Sequence, residues 1–206
     1  MKMKNKINVN IQKQCLIHIS GTPGSGKTYL YDQLRKFIKT DKNKKNKNKN
    51  KNKNKIKIVD TDDWRDEFYS TAKYKKNKTS YLKFISNHVQ KLKKYHIVIL
   101  CGILDDYLGG KTVFPRFDTK YKYFIKIPVE QLYMQQNIRA INHLCKNKKK
   151  YIAKLKQHRE PIFKKIDEIK KEYANDEMLY VKKNKYKLAN QKQILSIVKK
   201  KTIKRC

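Results

Sequence analysis

The stretch Gly21-Thr-Pro-Gly-Ser-Gly-Lys-Thr28 decides the fold of this chain. It matches G-x-x-x-x-G-K-[ST], the pattern of a phosphate-binding loop, at every fixed position. Its three glycines are expected to take positive φ, so that the backbone amides can approach a phosphate closely. The residues expected to bind the nucleotide are Gly21, Thr22, Pro23, Gly24, Ser25, Gly26, Lys27 and Thr28. Lys27 would follow the β- and γ-phosphates, and the Thr28 hydroxyl would ligate Mg²⁺.

The flanking sequences favour a phosphate loop over an ordinary glycine-rich turn. The run Cys15–Ser20 before the loop is short and mostly apolar, which is typical of a buried parallel strand. After the loop, residues 27–39 carry apolar side chains at spacings of three and four, which predicts a helix. A strand, the loop and a helix in this order are the context that the motif requires.

Charge is the second conspicuous property of the chain. Its 206 residues include 53 Lys and Arg but only 17 Asp and Glu, which gives a formal net charge of +36. A surface selected for polyanions such as nucleic acid is one explanation. The other is compositional, because Lys and Asn are enriched together, as an AT-rich coding sequence would produce. The sequence leaves both explanations open.

Cysteine usage and hydropathy indicate an intracellular, cytoplasmic protein. The four cysteines are scattered without a C-x-x-C pair, which suits reduced thiols. No run of 18 apolar residues exists, so we expect no membrane span. Residues 1–10 are rich in Lys and Asn and lack the apolar core of a signal peptide.

Further apolar runs and helical periodicities extend the pattern to the end of the chain. The predicted strands are Cys15–Ser20, Ile56–Asp60, 96–101, 121–127 and 178–181, and the predicted helices are 27–39, 79–95, 129–144, 161–174 and 190–200. In the helix 129–144 the side chains expected to face the core are Leu132, Met134, Ile138 and Ile141.

Two stretches are predicted to lie outside the packed core of one domain that spans residues 1–206. Residues 42–55 contain only Lys and Asn, so they bury no apolar surface and repel one another, which predicts a disordered insertion. Residues 142–160 are basic, and two interpretations stay open for them: a lid that closes over phosphates, or a solvated helix face. Within and beside this stretch, Arg139 and Arg159 stand out from the many lysines.

An acidic cluster follows the second predicted strand. Asp60, Asp62, Asp63, Asp66 and Glu67 lie within eight residues. Ligands of parallel α/β sheets bind beyond the carboxyl ends of the strands, so this cluster should face the phosphate loop. We expect the last three residues only to favour the N-terminus of the next helix. Asp60 and Asp62, two residues apart at a strand end, are expected to point the same way and to bind Mg²⁺ or accept a proton.

The third predicted strand ends in Cys101 and Gly102 and leads into a long loop, 102–120. Many phosphate-loop enzymes carry an acid at this strand end that orders the water around Mg²⁺. Because Cys101 stands there, that task would pass to the Asp60 and Asp62 pair or to Asp105 and Asp106. A loop of this length at a strand's carboxyl end is typical of a functional segment, and it also carries Lys111 and Arg116.

On the residues of the phosphate loop and of Asp60-Thr-Asp62, the chain resembles the small-molecule and nucleotide kinases of the phosphate-loop (P-loop, Walker A) superfamily. It looks most similar to the group with an Asp-x-Asp after the second strand, such as shikimate and gluconate kinases, zeta toxins and polynucleotide 5′-kinases. The resemblance implies that Asp60 serves the Mg²⁺ shell, Asp62 the acceptor hydroxyl and Arg65 the acceptor's charge. It also implies that Arg139 and Arg159 stabilise the transferring phosphoryl group.

We therefore predict a three-layer α/β P-loop NTPase fold, with a five-stranded parallel sheet in the order 2-3-1-4-5 and helices on both faces. The predicted activity is transfer of the γ-phosphate of ATP, with Mg²⁺, to a small-molecule or nucleotide acceptor. Gly102 and Arg116 are expected on the acceptor side of the site, together with Asp62 and Arg65. A 5′-polynucleotide kinase that uses the basic surface, and a nucleotide-binding module that has lost catalysis, remain the alternatives.

Overall fold

A five-stranded, wholly parallel sheet forms the centre of the protein. The computed structural model describes residues 14–45, 56–70, 78–102, 117–146 and 165–204. The strands are β1 (Cys15–Ser20), β2 (Ile56–Asp60), β3 (Ile97–Cys101), β4 (Thr119–Ile125) and β5 (Lys187–Ala189). They lie in the order β2-β3-β1-β4-β5, and every pair is parallel. This confirms the predicted strand order and the P-loop NTPase-like fold.

Helices cover both faces of the sheet. They are α1 (Lys27–Lys45), α2 (Thr61–Ser70), α3 (Lys78–Lys91), α4 (Val129–Lys146), α5 (Ile166–Glu177) and α6 (Gln191–Lys204). A short 3₁₀ turn, Leu92–Lys94, extends α3, and a π-helical turn, Met178–Lys183, extends α5. None of the described helices is both long and apolar enough to cross a bilayer.

The central strands β1 and β3 are buried along their whole length, as a sheet covered on both faces requires. Alternate residues of β1 face opposite layers. Ile17 packs with Leu30 and Leu34 of α1 and with Ile194 of α6, whereas Leu16 packs with a cluster that α2 and α3 complete. A third cluster joins β4, α4 and α5 on the same face as α2 and α3. This packing holds the carboxyl ends of β1, β2 and β3 at one edge of the sheet.

The position of the fifth strand was predicted wrongly. Residues 178–181 were expected to form it, but they belong to the π-helical turn that continues α5 and buries Tyr180. The fifth strand is instead the three-residue β5, which pairs with β4 from Tyr123 to Ile125. So short an edge strand needs little apolar sequence, because only Ala189 of its three residues is buried.

Helix α4 presents a different face to the core from the one expected. Leu132 is buried as predicted, but Met134 and Ile138 are 60% and 53% exposed, so the expectation is wrong for both. The partly buried positions include Tyr133 and Gln136 instead. The polar Gln136 lies on this side because its amide reaches the phosphate loop.

Several boundaries and one thiol also differ from expectation. Helix α1 continues to Lys45, so residues 42–45 are helical rather than part of a disordered insertion, and the rest of that insertion lies outside the described residues. Helix α5 is described from Ile166, whereas the sequence predicted a helix over 161–174.

Reduced thiols were expected throughout. Cys101 is free, but Cys15 is disulfide-bonded, so that expectation is wrong for Cys15.

Candidate functional site

The phosphate loop connects the end of β1 to the start of α1, at the carboxyl edge of the sheet. Gly24 and Gly26 have φ values of 88° and 85°, a left-handed conformation that favours glycine. Gly21 was also expected at positive φ, but its φ is not in that region. There a Cβ would lie 2.5 Å from the Ser25 hydroxyl oxygen, so close packing rather than backbone conformation requires glycine at position 21.

Backbone hydrogen bonds of the loop leave a set of amide groups open. The Ser25 amide donates to the Thr22 carbonyl at 3.0 Å, which closes the turn, and the first helical bond runs from Leu30 to the Gly26 carbonyl. No hydrogen bond among the described residues uses the N–H groups of Gly24, Gly26, Lys27 or Thr28. Consecutive open amides in a left-handed turn at a helix N-terminus form an anion-binding concavity.

Lys27 lies folded against this loop. Its ammonium donates to the Gly21 carbonyl at 2.5 Å and to the Thr22 carbonyl at 3.1 Å. Burial lowers the pKa of Lys27 to about 8, and the carboxylates of Asp62, Asp176 and Asp60 oppose that shift. At neutral pH the side chain is therefore mostly charged and has three carboxylates close enough to influence it.

The acidic cluster is arranged differently from the predicted pair of parallel side chains. Strand β2 ends at Asp60, and Asp62 already belongs to the first turn of α2, so the two side chains do not extend from one strand. Asp60 is buried, and its Oδ1 accepts the Asp62 N–H at 3.0 Å, which caps α2. Burial raises the pKa of Asp60, although the bond from the Asp62 amide opposes the shift.

The remaining acids of the cluster have mixed roles. Asp63 lies in the first turn of α2, as expected for a helix N-terminus, whereas Asp66 and Glu67 lie beyond that turn. Arg65 forms exposed ion pairs with Asp62 at 3.4 Å and with Asp66 at 3.5 Å. These pairs place the Arg65 guanidinium beside Asp62.

The end of β3 is fully enclosed. Cys101 pairs in register with Asp60, and burial raises the pKa of its thiol, which favours the protonated form. Gly102 has a φ of 135°, and a Cβ there would lie against the Thr61 hydroxyl. Its carbonyl accepts a bond from His18 Nε2 at 3.0 Å, and His18 Nδ1 lies 2.7 Å from the Tyr186 hydroxyl.

The residues present fit a magnesium nucleotide. The buried hydroxyls of Ser20, Thr22 and Ser25 have no hydrogen-bond partner among the described residues, and all three belong to the loop or to the strand end before it. The open amides and Lys27 suit the phosphates of a nucleotide. Oxygen ligands for Mg²⁺ are available from the exposed Thr28 hydroxyl and from Asp60.

Of the predicted site arginines other than Arg65, only Arg139 lies among the described residues. Arg139 lies exposed on α4 and is near enough to Lys27 to lower the pKa of that lysine. Arg116, Arg159, Asp105 and Asp106 lie outside the described residues. The predicted lid is helical over 142–146, as the last turns of α4, and the rest of it is likewise not described.

Three residues near the loop were not expected from the sequence. Gln136 of α4 and Gln191 of α6 donate to carbonyls of the loop, and Asp176 of α5 contributes to the electrostatic surroundings of Lys27. All three lie more than 100 residues along the chain from the loop. No motif marks them, and only the strand order of the sheet brings them to the site.

Comparison with known proteins finds solved structures that resemble the chain, but it does not assign the chain to a family. No protein-family model matches the chain, and no curated protein matches it significantly. Among solved structures, the crystal structure of APE1195 is 18% identical, with 68% of this chain and 73% of that chain covered and a TM-score of 0.44. A deoxyadenosine kinase from M. mycoides, solved with the products dCMP and a flexible dCDP, is 13% identical, with coverages of 90% and 97% and a TM-score of 0.41. Because both TM-scores are below 0.5, we base no conclusion on these two proteins.

Proposed function

We propose that this protein binds ATP with Mg²⁺ at residues 21–28 and transfers the γ-phosphate to a hydroxyl or phosphate group of a small-molecule or nucleotide acceptor. The observation that carries the proposal is the combination of open loop amides with Lys27 and two carboxylates at one sheet edge. The amides and the ammonium are suited to phosphates, and the carboxylates of Asp60 and Asp62 are suited to a metal and to an acceptor hydroxyl.

The chain's own groups would bind and orient the triphosphate. The amides of the loop would hold the phosphate oxygens, and Lys27 would exchange its carbonyl partners for the β- and γ-phosphates. Mg²⁺, held by Thr28 and Asp60, would neutralise phosphate charge when bound. Arg139 would add a further cation near Lys27, and Arg159 is proposed for the same task.

Asp62 is the proposed acceptor-side residue. It lies in the first turn of α2, is only partly buried, and influences Lys27 more strongly than Asp60 does. From there its carboxylate would orient the acceptor hydroxyl and take its proton. Arg65, paired with Asp62, would bind a charged group of the acceptor, and Gly102 and Arg116 are proposed for the same side.

The end of β3 favours one alternative to a kinase, a nucleotide-binding module that has lost catalysis. Cys101 is buried and protonated at the position where many phosphate-loop enzymes carry an acid. A nucleotide-binding module without turnover would tolerate such a side chain. The two candidates differ in one measurable respect, because only the kinase transfers phosphate.

An acceptor screen with γ-labelled ATP and Mg²⁺ tests the proposal. Nucleosides, nucleotides, sugars and DNA with 5′-hydroxyl ends are offered to the wild type, to Asp62→Asn, and to Asp63→Asn as a neighbouring exposed control. Transfer to one acceptor class is expected, with a loss of roughly 10²- to 10⁴-fold in Asp62→Asn and little change in Asp63→Asn. ATP binding without transfer to any acceptor would favour the module, and equal transfer by both variants would remove Asp62 from the site.

A further inference from the structure

Two glutamine side chains from distant parts of the chain hold the backbone of the phosphate loop. Gln136 Nε2 of α4 donates to the Pro23 carbonyl at 2.8 Å. Gln191 Nε2, on the first residue of α6, donates to the Ser25 carbonyl at 2.6 Å. The loop is therefore fastened to two helices that follow different strands of the sheet.

These two bonds fix the direction of the amides that would bind phosphate. In a trans peptide the carbonyl and the following N–H point in opposite directions. When Gln136 holds the Pro23 carbonyl, the Gly24 N–H is turned away from Gln136. The same relation turns the Gly26 N–H away from Gln191. These are two of the amides that no described group engages.

A side chain at either glycine would displace the glutamine next to it. A Cβ on Gly24 would lie 2.9 Å from Gln136 Cγ, and a Cβ on Gly26 would lie 2.1 Å from Gln191 Nε2. At both positions, a glycine with positive φ therefore leaves the space that the neighbouring glutamine side chain occupies.

Gln191 is itself held in place by the start of its helix. The Asn190 side chain accepts the Gln193 N–H at 2.9 Å, and the Gln193 side chain accepts the Asn190 N–H at 2.9 Å. This reciprocal cap fixes the first turn of α6, on which Gln191 is the first residue.

We propose that Gln136 and Gln191 are positioning residues that keep the loop amides in their phosphate-binding orientation before the nucleotide arrives. The proposal rests on the proposed function of the loop. Because the glutamines act on the backbone around the phosphates, they favour any ligand with a polyphosphate, whatever its base. An amide that is already oriented spares the ligand the cost of ordering the loop.

The test measures the affinities of Gln136→Met and Gln191→Met for ATP, GTP and tripolyphosphate, each with Mg²⁺. Methionine has a similar length but no amide donor. Gln131→Met, on the exposed side of α4, is the matched control. Gln193→Met removes the side chain that caps the first turn of α6, so it is expected to weaken binding in the same direction as Gln191→Met but by less. We expect each positioning variant to bind all three ligands roughly 3- to 10-fold more weakly, with the Gln131→Met control near wild type.

The possible results separate the two proposals. If the wild type binds none of the three ligands, the proposed function itself is wrong. If the wild type binds and both variants bind equally well, the positioning role is wrong. A loss for ATP but not for tripolyphosphate would show that the glutamines contact the nucleoside, which also overturns the proposal. Gln136→Met alone decides the outcome if Gln191→Met does not fold.

Charge is distributed unequally between the two helix layers of the protein. On one face of the sheet, α1 and α6 together carry twelve Lys or Arg and two Asp. On the other face, α2, α3, α4 and α5 together carry eight Lys or Arg and ten Asp or Glu. Three of the twelve cations, Lys42, Lys44 and Lys45, belong to the Lys/Asn run. Without them this layer still carries nine Lys or Arg against two Asp, so that run alone does not account for the segregation.

Exposed cations occur along both helices, with Arg35 and Lys192 nearer the loop. Lys36 and Lys39 of α1 and Lys200 of α6 are exposed farther from it, and these three lysines define the basic face. Lys199 lies over the Phe37 ring of α1, and Lys201 lies over the ring of Tyr121, near the start of β4. Since both helices run back from the carboxyl edge, this basic face lies toward the opposite edge from the phosphate loop.

We propose that this basic face binds the phosphate backbone of a nucleic acid. An isolated contact to an exposed lysine contributes little. A partner with a dense line of charges engages several lysines at once and gains affinity from the release of counterions. Because the face lies away from the phosphate loop, it would tether the protein to the nucleic acid rather than deliver a strand end to the site.

The test compares two triple variants that lower the net charge equally. The first variant changes Lys36, Lys39 and Lys200 to Gln. The second changes three exposed lysines of the opposite helix layer to Gln: Lys83, Lys91 and Lys171. Binding to labelled duplex DNA and to single-stranded RNA is measured against salt concentration. The plot of log K against log salt concentration should become shallower by roughly 2 to 3 in the first variant, for at least one nucleic acid. In the second variant its slope should change much less. Equal effects of the two variants would overturn the proposal. It would also be overturned if the first variant lost only binding to phosphatidylserine vesicles.

Discussion

Substituting Gly26 by Ala should reveal the fit between the phosphate loop and α6. At a φ of 85° a residue with a Cβ costs about 1–2 kcal/mol relative to glycine. The new Cβ would also lie 2.1 Å from Gln191 Nε2. That atom is the end of a flexible side chain, so it can move away, but its bond to the Ser25 carbonyl is then lost. The lost bond adds about 0.5–1.5 kcal/mol, and the two effects together lower the free energy of unfolding by about 1.5–3.5 kcal/mol.

Urea unfolding of four proteins measures this coupling: the wild type, Gly26→Ala, Gln191→Ala and the double variant. In the Gln191→Ala background the bond is already absent, so Gly26→Ala should cost less there, by about 0.5–1.5 kcal/mol. In a chain of this length, each kcal/mol lowers the melting temperature by about 2–4 °C. A Gly26→Ala variant as stable as the wild type, or one with the same cost in both backgrounds, would refute the predicted coupling between Gly26 and Gln191.

Four further variants test other parts of the structure through their stability. Asp60→Ala should lower the free energy of unfolding by about 1 kcal/mol because it removes the cap of α2. Asp62→Ala, which breaks an exposed ion pair, should cost less than about 0.5 kcal/mol, and the reverse ranking would contradict the assigned roles. Tyr186→Phe removes the hydroxyl bound to the buried His18 and should cost about 1–3 kcal/mol, so a neutral result would exclude a structural role for that bond. Replacing residues 46–55 by a Gly-Ser linker of equal length should leave the melting temperature within a few degrees, because Lys and Asn bury no apolar surface. A large loss would show that this segment packs or binds.

Much of the fold could be predicted because its signals are local. The strand, loop and helix around Gly21 to Thr28 follow one another in the sequence, and the apolar run of β3 is unambiguous. The strand order followed from the resemblance that these motifs support, and the structure confirms it. The end of the chain was harder, since the apolar residues 178–181 continue a helix and the true edge strand has three residues.

Errors at the site have a common physical cause. The inner face of α4 was predicted from apolar spacing alone, yet Gln136 lies on that face because it bonds to the loop. Gln191 and Asp176 likewise reach the site through tertiary structure, from helices with no motif of their own. Local rules fail where a polar side chain is held against the loop by a partner distant in sequence.

The most direct test of the central claim is calorimetric titration of Mg²⁺–ATP into the wild type, Lys27→Met and Lys57→Met. Methionine keeps the apolar stem of Lys27 and removes the ammonium that bonds to the loop carbonyls. Lys57 is exposed on β2 and serves as a control of equal charge change. We predict binding by the wild type and Lys57→Met, and at least roughly 10-fold weaker binding by Lys27→Met, as expected for the loss of a charge-assisted bond. Equal affinity in all three proteins, or no binding by the wild type, would contradict the account.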